Sequence, residues 1–217
     1  MKALLLNGSP NEKGNTYKIL TEIAKKIEEE GIETEIFWIG KEAVHGCTAC
    51  YSCKKNDSPR CVINTDVVNS FVDKAEEADG YIFASPVYYA SPNGSLMALM
   101  NRAFFASDSV FHGKPGGVAA IARRAGTISA YDVMAKYLPD NGMPVAPSQY
   151  WPVAFGMSDG EVIQDDEGMQ IMRMLGKNLA WLMKCIDAGK KAGLEVPQLE
   201  DRKIYTNFIR KDMKVKE

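Results

Sequence analysis

The sequence predicts an α/β fold, a three-layer α/β/α sandwich around a five-stranded parallel sheet of order 2-1-3-4-5. Short apolar runs alternate with amphipathic stretches along the chain, which is typical of a parallel sheet covered by helices on both faces. The 217 residues, 46% of them hydrophobic, suffice for one domain with a sizeable core. We therefore expect a single domain over 1–217, with a cysteine-rich insertion at about 43–62 and a C-terminal helix and tail at about 165–217.

The elements follow from the hydrophobic pattern. Strands are expected at about 2–7, 33–38, 80–85 and 116–122, with a fifth near 143–155. Helices are expected at about 15–30, 65–78, 92–106, 126–139 and 166–190. Gly31 should end the first helix in a left-handed conformation, and Ser91-Pro92 should begin the third helix as a cap and a first-turn proline.

Charge and composition exclude some classes of function. The formal net charge is -2 with both signs mixed along the chain, so no basic field should recruit a nucleic acid or a membrane surface. No apolar stretch approaches the ~20 residues that span a bilayer. The N-terminus enters the first strand without a charged leader, so we expect a cytoplasmic protein.

A polar, glycine-containing turn follows the first apolar run. The segment Asn7-Gly8-Ser9-Pro10 leads to Gly14-Asn15-Thr16, where a helix begins. A helix N-terminus offers unpaired N–H donors and partial positive charge, and the hydroxyl and amide side chains there also bond phosphate oxygens. The glycine spacing fits neither GxGxxG nor GxxxxGK[ST], which leaves a monophosphate such as the tail of FMN. The alternative is an ordinary turn capped by the same residues.

Two further turns at predicted strand ends suit a flavin ring. In Ser85-Pro86-Val87-Tyr88-Tyr89, proline stiffens the loop and a tyrosine offers a stacking face, unless the tyrosines simply pack on the core. In Arg123-Arg124-Ala125-Gly126, an arginine would stabilise negative charge on a reduced flavin, unless the pair is merely solvated. Ligands of such sheets bind outside the carboxyl ends of strands 1 and 3, so the polar turn after strand 1 and the turn after strand 3 should converge.

Together with Asn101-Arg102 on the intervening helix, these motifs resemble the NAD(P)H-dependent FMN reductases of flavodoxin-like fold, over roughly residues 1–155. The resemblance implies three groups of FMN-binding residues. They are Ser9, Pro10, Asn15 and Thr16 at the phosphate, Pro86, Val87, Tyr88 and Tyr89 beside the ring, and Arg123, Arg124, Ala125 and Gly126 in a third flavin loop. The family is usually dimeric or tetrameric, so a homodimer or homotetramer is expected. The Tyr150-Trp151 segment would line the subunit contact, unless Trp151 belongs to the core.

Four cysteines are crowded between the second predicted strand and the next helix. Cys47, Cys50 and Cys53 follow at two-residue intervals, and Cys61 comes after seven more residues. Because the cytosol keeps thiols reduced, disulfides are not expected. Four cysteines match the ligand count of a [4Fe-4S] cluster, whereas zinc and a metal-free loop of packing or oxidant-sensing thiols are the alternatives. The spacing resembles the compact motif of iron-sulfur flavoproteins, a branch of the same family.

Two other candidate ligands are set aside. A lone histidine such as His45 is usually a surface or capping residue. Cys185, in the apolar pattern of the last helix, is expected to be a small buried hydrophobe.

The predicted function is an FMN-dependent oxidoreductase whose chemistry is carried by the flavin, so no catalytic triad is expected. Electrons should come from NAD(P)H or from a reduced carrier such as ferredoxin. They should pass to a small-molecule acceptor, such as a quinone, a nitro or azo compound, a flavin or an oxygen species. A cluster would favour relay of single electrons between ferredoxin and flavin, and its absence would favour direct hydride transfer. The alternative is a non-enzymatic redox-sensing module whose cysteine loop controls a partner contact.

Overall fold

The structure is a computed structural model that describes residues 1–56 and 58–198. Its strands in this part of the chain are β1 (Lys2–Asn7), β2 (Glu33–Trp38), β3 (Gly80–Tyr88), β4 (Ser91–Pro92), β5 (Gly116–Ala122) and β6 (Val153–Phe155). Five of them form a parallel sheet in the order β2-β1-β3-β5-β6, and β4 pairs antiparallel with the end of β3. In order along the chain these five are strands 2-1-3-4-5, so the predicted order is confirmed.

The helices cover both faces of the sheet. They are α1 (Asn15–Glu28), α2 (Ser52–Lys55), α3 (Val68–Glu76), α4 (Gly94–Ala106), α5 (Asp108–Phe111), α6 (Thr127–Ala135), α7 (Tyr137–Asp140) and α8 (Asp166–Lys191), with a 3-10 helix at Glu161–Gln164. None of the helices in residues 1–56 and 58–198 is long and apolar enough to cross a membrane.

Alternate residues of β1 feed two separate hydrophobic cores. Leu4 and Leu6 belong to a core shared with α3 and α4, whereas Ala3 and Leu5 belong to a core shared with α1 and α8. Successive side chains of a strand point to opposite faces, so a strand buried on both faces reads as the continuous apolar run seen here. The predicted three-layer sandwich is therefore present.

Two element predictions need correction. Ser91-Pro92 does not begin the third helix, because the chain turns back after Tyr88 and these residues pair with β3 as β4. Asn93 caps α4 instead, and its Oδ1 accepts from the N–H groups of Ser95 and Leu96. The predicted helix over 126–139 is two helices, α6 and α7, since Pro139 lacks the N–H that a continuous helix would need.

Outcomes near the C-terminal half are mixed. The fifth strand is only the three residues of β6, preceded by an isolated bridge between Gly116 and Val145. Helix α8 matches the prediction, but the expected tail lies mostly outside the described residues. Cys185 is exposed, so its assignment as a buried residue is wrong. Two positions separate it from the buried Met183, which turns Cys185 to the opposite side of the helix.

Candidate functional site

The β1–α1 loop is held in one conformation by its own polar groups. The buried side chain of Asn7 accepts from the Ser9 N–H at 3.1 Å and donates to the carbonyl of Glu12 at 2.9 Å. The Ser9 carbonyl accepts from Nε1 of Trp38 at 2.8 Å, which ties the loop to the end of β2. These bonds fix the approach to the N-terminus of α1.

The N-terminus of α1 is suited to an anion. Gly14 occupies the N-cap position and no side chain caps the first turn, which also carries no acidic residue. A helix start of this kind has N–H donors and partial positive charge for a ligand. Ser9 and Thr16 lie in this region and are both buried, with the Ser9 hydroxyl accepting from the N–H of Asn11.

The side chain of Asn15 has two partners far along the chain. Its Nδ2 donates to the carbonyl of Ser158 at 2.9 Å, and its Oδ1 accepts from the N–H of Val162 at 3.3 Å. Glu161 closes this distant turn, because its carboxylate accepts the N–H groups of Ser158 and Met157, which also lower the pKa of Glu161. The phosphate role of Asn15 stays a prediction. Its two hydrogen bonds to the turn after β6 are a second role that the sequence did not predict.

The loop after β3 is a tight hairpin with an unusual backbone. Tyr89 and Ala90 have φ angles of 50° and 59°, the left-handed region that glycine normally occupies in such turns. Tyr89 is fully exposed and Tyr88 is 46% exposed. The alternative in which the tyrosines pack on the core is therefore wrong.

The loop after β5 touches this hairpin. Gly126 has a φ of +88°, and a Cβ at that position would lie 2.8 Å from the Cα of Ala90. Arg123 and Arg124 are exposed, and neither forms an ion pair with any described residue. The second and third predicted flavin loops thus meet at one edge of the sheet. The Tyr150-Trp151 pair is also exposed, so the alternative that placed Trp151 in the core is wrong.

The four clustered cysteines line one pocket. The pocket wall also contains Arg102 and five other residues, four of which are apolar or aromatic. The lining residues are Cys47, Thr48, Cys50, Tyr51, Cys53, Cys61, Val62, Arg102, Phe105 and Ala106. Within residues 1–56 and 58–198, no three His, Cys, Asp or Glu side chains are close enough to hold a metal ion as they stand. A shared centre would therefore require the loop to close around it.

The first three cysteines lie in a strained stretch. Ala49 and Tyr51, on either side of Cys50, have φ angles of 52° and 57°. Hydrogen bonds from Ser52 lower the pKa of the Cys50 thiol, which is exposed. His45 lies just before this stretch, and its Nδ1 is 2.8 Å from the carbonyl of Gly46.

A buried arginine holds the other end of the cysteine loop. Arg102 of α4 donates from Nε to the Sγ of Cys61 at 3.3 Å and from a terminal nitrogen to the carbonyl of Ile63 at 2.6 Å. It also forms a buried ion pair with Asp66 and donates to the carbonyl of His45 at 3.1 Å. Sequence patterning missed this role. A signal existed, since Arg102 is the single charged residue in the mainly apolar sequence of α4.

Ionisation of the pair follows from these bonds. Burial alone would raise the pKa of Asp66, but the Arg102 hydrogen bond and two backbone N–H groups more than offset this effect and lower it. Burial likewise opposes the charge of Arg102, yet the bonds to Asp66 and Cys61 raise its pKa. Both groups are thus charged in the folded protein.

Comparison with known proteins identifies the family. The model for NADPH-dependent FMN reductases matches residues 1–158. The chain belongs to that family. An iron-sulfur flavoprotein of Methanocaldococcus jannaschii is 31% identical over 194 residues, covering 86% of this chain and 99% of the relative. An iron-sulfur flavoprotein of Methanosarcina thermophila is 27% identical over 196 residues, covering 88% and 99%.

Solved structures support the fold. RosB with its bound 8-demethyl-8-formylriboflavin-5′-phosphate intermediate aligns with a TM-score of 0.66 at 17% identity, covering 100% of this chain and 95% of RosB. A flavodoxin from the domain Archaea aligns with a TM-score of 0.58 at 17% identity, covering 85% and 99%. This member of the FMN reductase family is thus an FMN-dependent flavoprotein oxidoreductase with a flavodoxin-like fold.

Proposed function

We propose that this FMN reductase family member carries electrons between a reduced donor, NAD(P)H or a carrier such as ferredoxin, and a small-molecule acceptor in the cytoplasm, using FMN and a [4Fe-4S] cluster. One observation carries the proposal: the cysteine pocket and the second predicted flavin loop, the β3–β4 hairpin, adjoin the same helix. Helix α4 begins directly after the β3–β4 hairpin and contributes Arg102, Phe105 and Ala106 to the cysteine pocket. From Asn93 to Arg102 the helix advances about 13 Å.

The flavin side of the proposal uses the three predicted flavin loops. The first turn of α1, with Ser9 and Thr16, would bind the phosphate through N–H and hydroxyl donors. Tyr88 and Tyr89 would flank the ring, and Arg123 or Arg124 would stabilise negative charge near it. When bound, FMN supplies one- and two-electron chemistry, which the protein directs by orientation and charge.

The cluster side of the proposal uses the donor set of one pocket. Cys47, Cys50, Cys53 and Cys61 would hold the cluster, which when bound supplies transfer of single electrons. Four thiols with an N–H donor and mainly apolar neighbours fit such a group. The relatives named iron-sulfur flavoproteins, which align over most of the chain, also support it.

The decisive experiment is composition analysis of protein purified without oxygen. We expect flavin absorption bands, one FMN and about four irons with matching sulfide per chain. Cys53→Ser should lose the iron, whereas Cys185→Ser should keep it, because Cys185 is an exposed cysteine on α8 outside the pocket. A flavin-containing protein without iron would contradict the cluster and leave an FMN reductase with free thiols. No flavin after reconstitution would overturn the whole proposal.

The phosphate assignment has its own test. Thr16→Val removes a buried hydroxyl and keeps the side-chain shape, so FMN affinity should fall in a folded protein. Thr21→Val is the matched control on the same helix, since the Thr21 hydroxyl is exposed and donates to the Tyr17 carbonyl one turn before it. Equal FMN affinity of the two variants would contradict the role of Thr16.

Donor assays separate the enzyme from a redox sensor. We expect anaerobic reduction of the flavin by NADH, NADPH or reduced ferredoxin, followed by reoxidation with a quinone or nitro compound. The sensor has one supporting observation, the exposed Cys50 thiol with its lowered pKa. No turnover with any donor, together with partner binding that depends on thiol state, would favour the sensor.

Assembly as a homodimer or homotetramer belongs to the same proposal. Tyr150 and Trp151 are both about half exposed and contact each other edge to face, with ring centroids 4.7 Å apart. Large exposed aromatics are enriched at protein interfaces. Light scattering should give a mass of two or four chains, and Trp151→Ser should lower it.

A further inference from the structure

Arg102 is the most buried charged side chain among the described residues, and the proposed flavin loops do not account for it. Its residue exposure is 1%, and every bond of its side chain goes to the cysteine loop or to Asp66 at the loop's end. A buried guanidinium is costly unless its donors are used, and here they reach four different groups. The side chain of Arg102 therefore holds the segment 45–66 in its observed conformation.

Cys61 is the cysteine that this network fixes. Asn69 of α3 brackets its backbone, accepting from the Cys61 N–H at 2.9 Å and donating to the Cys61 carbonyl at 2.8 Å. Arg102 then bonds the sulfur itself. By contrast, Cys47 and Cys50 are exposed in a stretch with left-handed residues. One thiol is thus placed in advance, and the other three belong to the part of the loop that must close.

We propose that Arg102 is a positioning residue for the [4Fe-4S] cluster, placing Cys61 as its fixed ligand and raising the reduction potential through the Nε–H···Sγ bond. The inference rests on the proposed function, because it requires the cluster. Two chemical facts support it. Hydrogen bonds to the ligand sulfurs are among the factors that set the potential of an iron-sulfur cluster. A donor that carries positive charge stabilises the reduced cluster, which has one more negative charge, more than the oxidised one.

The test isolates the Nε–H from the charge. Arg102→Lys keeps a cation for Asp66 but has a methylene near the position of Nε, and lysine cannot reproduce the guanidinium fork. We expect the variant to retain iron and FMN while its cluster becomes harder to reduce. The reduction equilibrium should shift about tenfold, which is roughly 59 mV for a one-electron couple. The measurement is a redox titration of the purified holoprotein, in which the signal of the reduced cluster is recorded at each potential.

Two further variants complete the design. Lys54→Met is the charge control, since it removes a cation of the same loop whose partners are Asp108 and the ring of Phe105 rather than a sulfur. In this variant the reduction equilibrium of the cluster should shift less than threefold. If Arg102→Lys fails to fold, the double variant Arg102→Met with Asp66→Asn removes both charges of the buried pair together and places a methyl group where Nε was, so it should show the same downward shift.

The outcomes separate this inference from the proposed function. Wild-type protein with about four irons, but with an unshifted potential in Arg102→Lys or in the double variant, would overturn the role of Arg102 and leave the cluster in place. An equal shift in Lys54→Met would also overturn it, because the effect would then be general charge. Wild-type protein without iron would overturn both.

Discussion

The side-chain amide of Asn15 and the backbone of Ser158 are joined by a 2.9 Å hydrogen bond that spans 143 positions of the sequence. It connects the first turn of α1 to the turn after β6, and Val162 completes the contact from the other side. The proposed phosphate site therefore rests against a turn that follows the last strand. Substitutions in this turn can therefore change FMN binding although the turn itself contacts no ligand.

Asn15→Ala should loosen the turn after β6 and weaken FMN binding. The variant leaves the Val162 N–H and the Ser158 carbonyl without their partner, which should lower the free energy of unfolding by about 0.5–1.5 kcal/mol because water reaches these groups. Hydrogen exchange should accelerate over residues 157–162. Thr21→Val, on the same helix, should leave this exchange unchanged. Wild-type exchange in Asn15→Ala would contradict the bracing role.

Gly126→Ala should separate a steric effect from a conformational one. The new Cβ would meet a backbone atom, the Cα of Ala90, at 2.8 Å, and the residue has a φ of +88°. Gly31→Ala is the matched control, since Gly31 has a φ of +77°, a Cβ there would meet no atom of the described residues within 4 Å, and it lies at the far end of α1.

We expect Gly31→Ala to cost about 1 kcal/mol of unfolding free energy and to keep FMN affinity, because only left-handed strain is added. Gly126→Ala should cost more and should also weaken FMN binding, since the hairpin must shift. Urea denaturation and FMN titration measure both. Equal effects of the two substitutions would show that the two loops do not depend on their contact.

Sequence patterning predicted what local chemistry specifies. The apolar run of β1, the amphipathic face of α1 and the left-handed Gly31 all depend on neighbouring residues, and all three are present. The hairpin at Tyr89 contains no glycine, so no residue in it predicted a left-handed turn. Likewise, Arg102 and Asp66 are 36 positions apart, and only the fold reveals that they share one buried site.

Replacing Tyr89 should trade stability against flavin binding. Tyr89→Gly and Ala90→Gly each relieve a positive φ and should each raise the free energy of unfolding by about 0.5–1 kcal/mol. Only Tyr89→Gly removes the fully exposed ring, so only that variant should raise the Kd for FMN, by about fivefold for a lost stacking contact. Identical FMN affinities in both variants would contradict a role for Tyr89 beside the ring.

Glu35 should make stability depend on acid pH. Its carboxylate lies 2.6 Å from the amine of Lys2 and 3.3 Å from that of Lys74, joining β2 to β1 and α3. The hydrogen bond from Lys2 is the largest cause and the hydrogen bond from Lys74 a smaller one, and together they lower the pKa of Glu35 from its ordinary value of 4.5. A lowered pKa in the folded state contributes stability that is present above pH 4.5 and is lost as pH falls through the folded pKa.

Glu35→Gln should therefore be less stable than the wild type at pH 7, and the difference should shrink as the pH falls below 4.5. The pair is partly exposed, so the difference at pH 7 should be under about 1 kcal/mol. Urea denaturation at pH 7 and pH 3.5 measures it. Glu33→Gln, in the same strand but outside the ion pairs of the described residues, is the control and should show no such pH dependence. A constant difference between wild type and Glu35→Gln at both pH values would contradict the linkage.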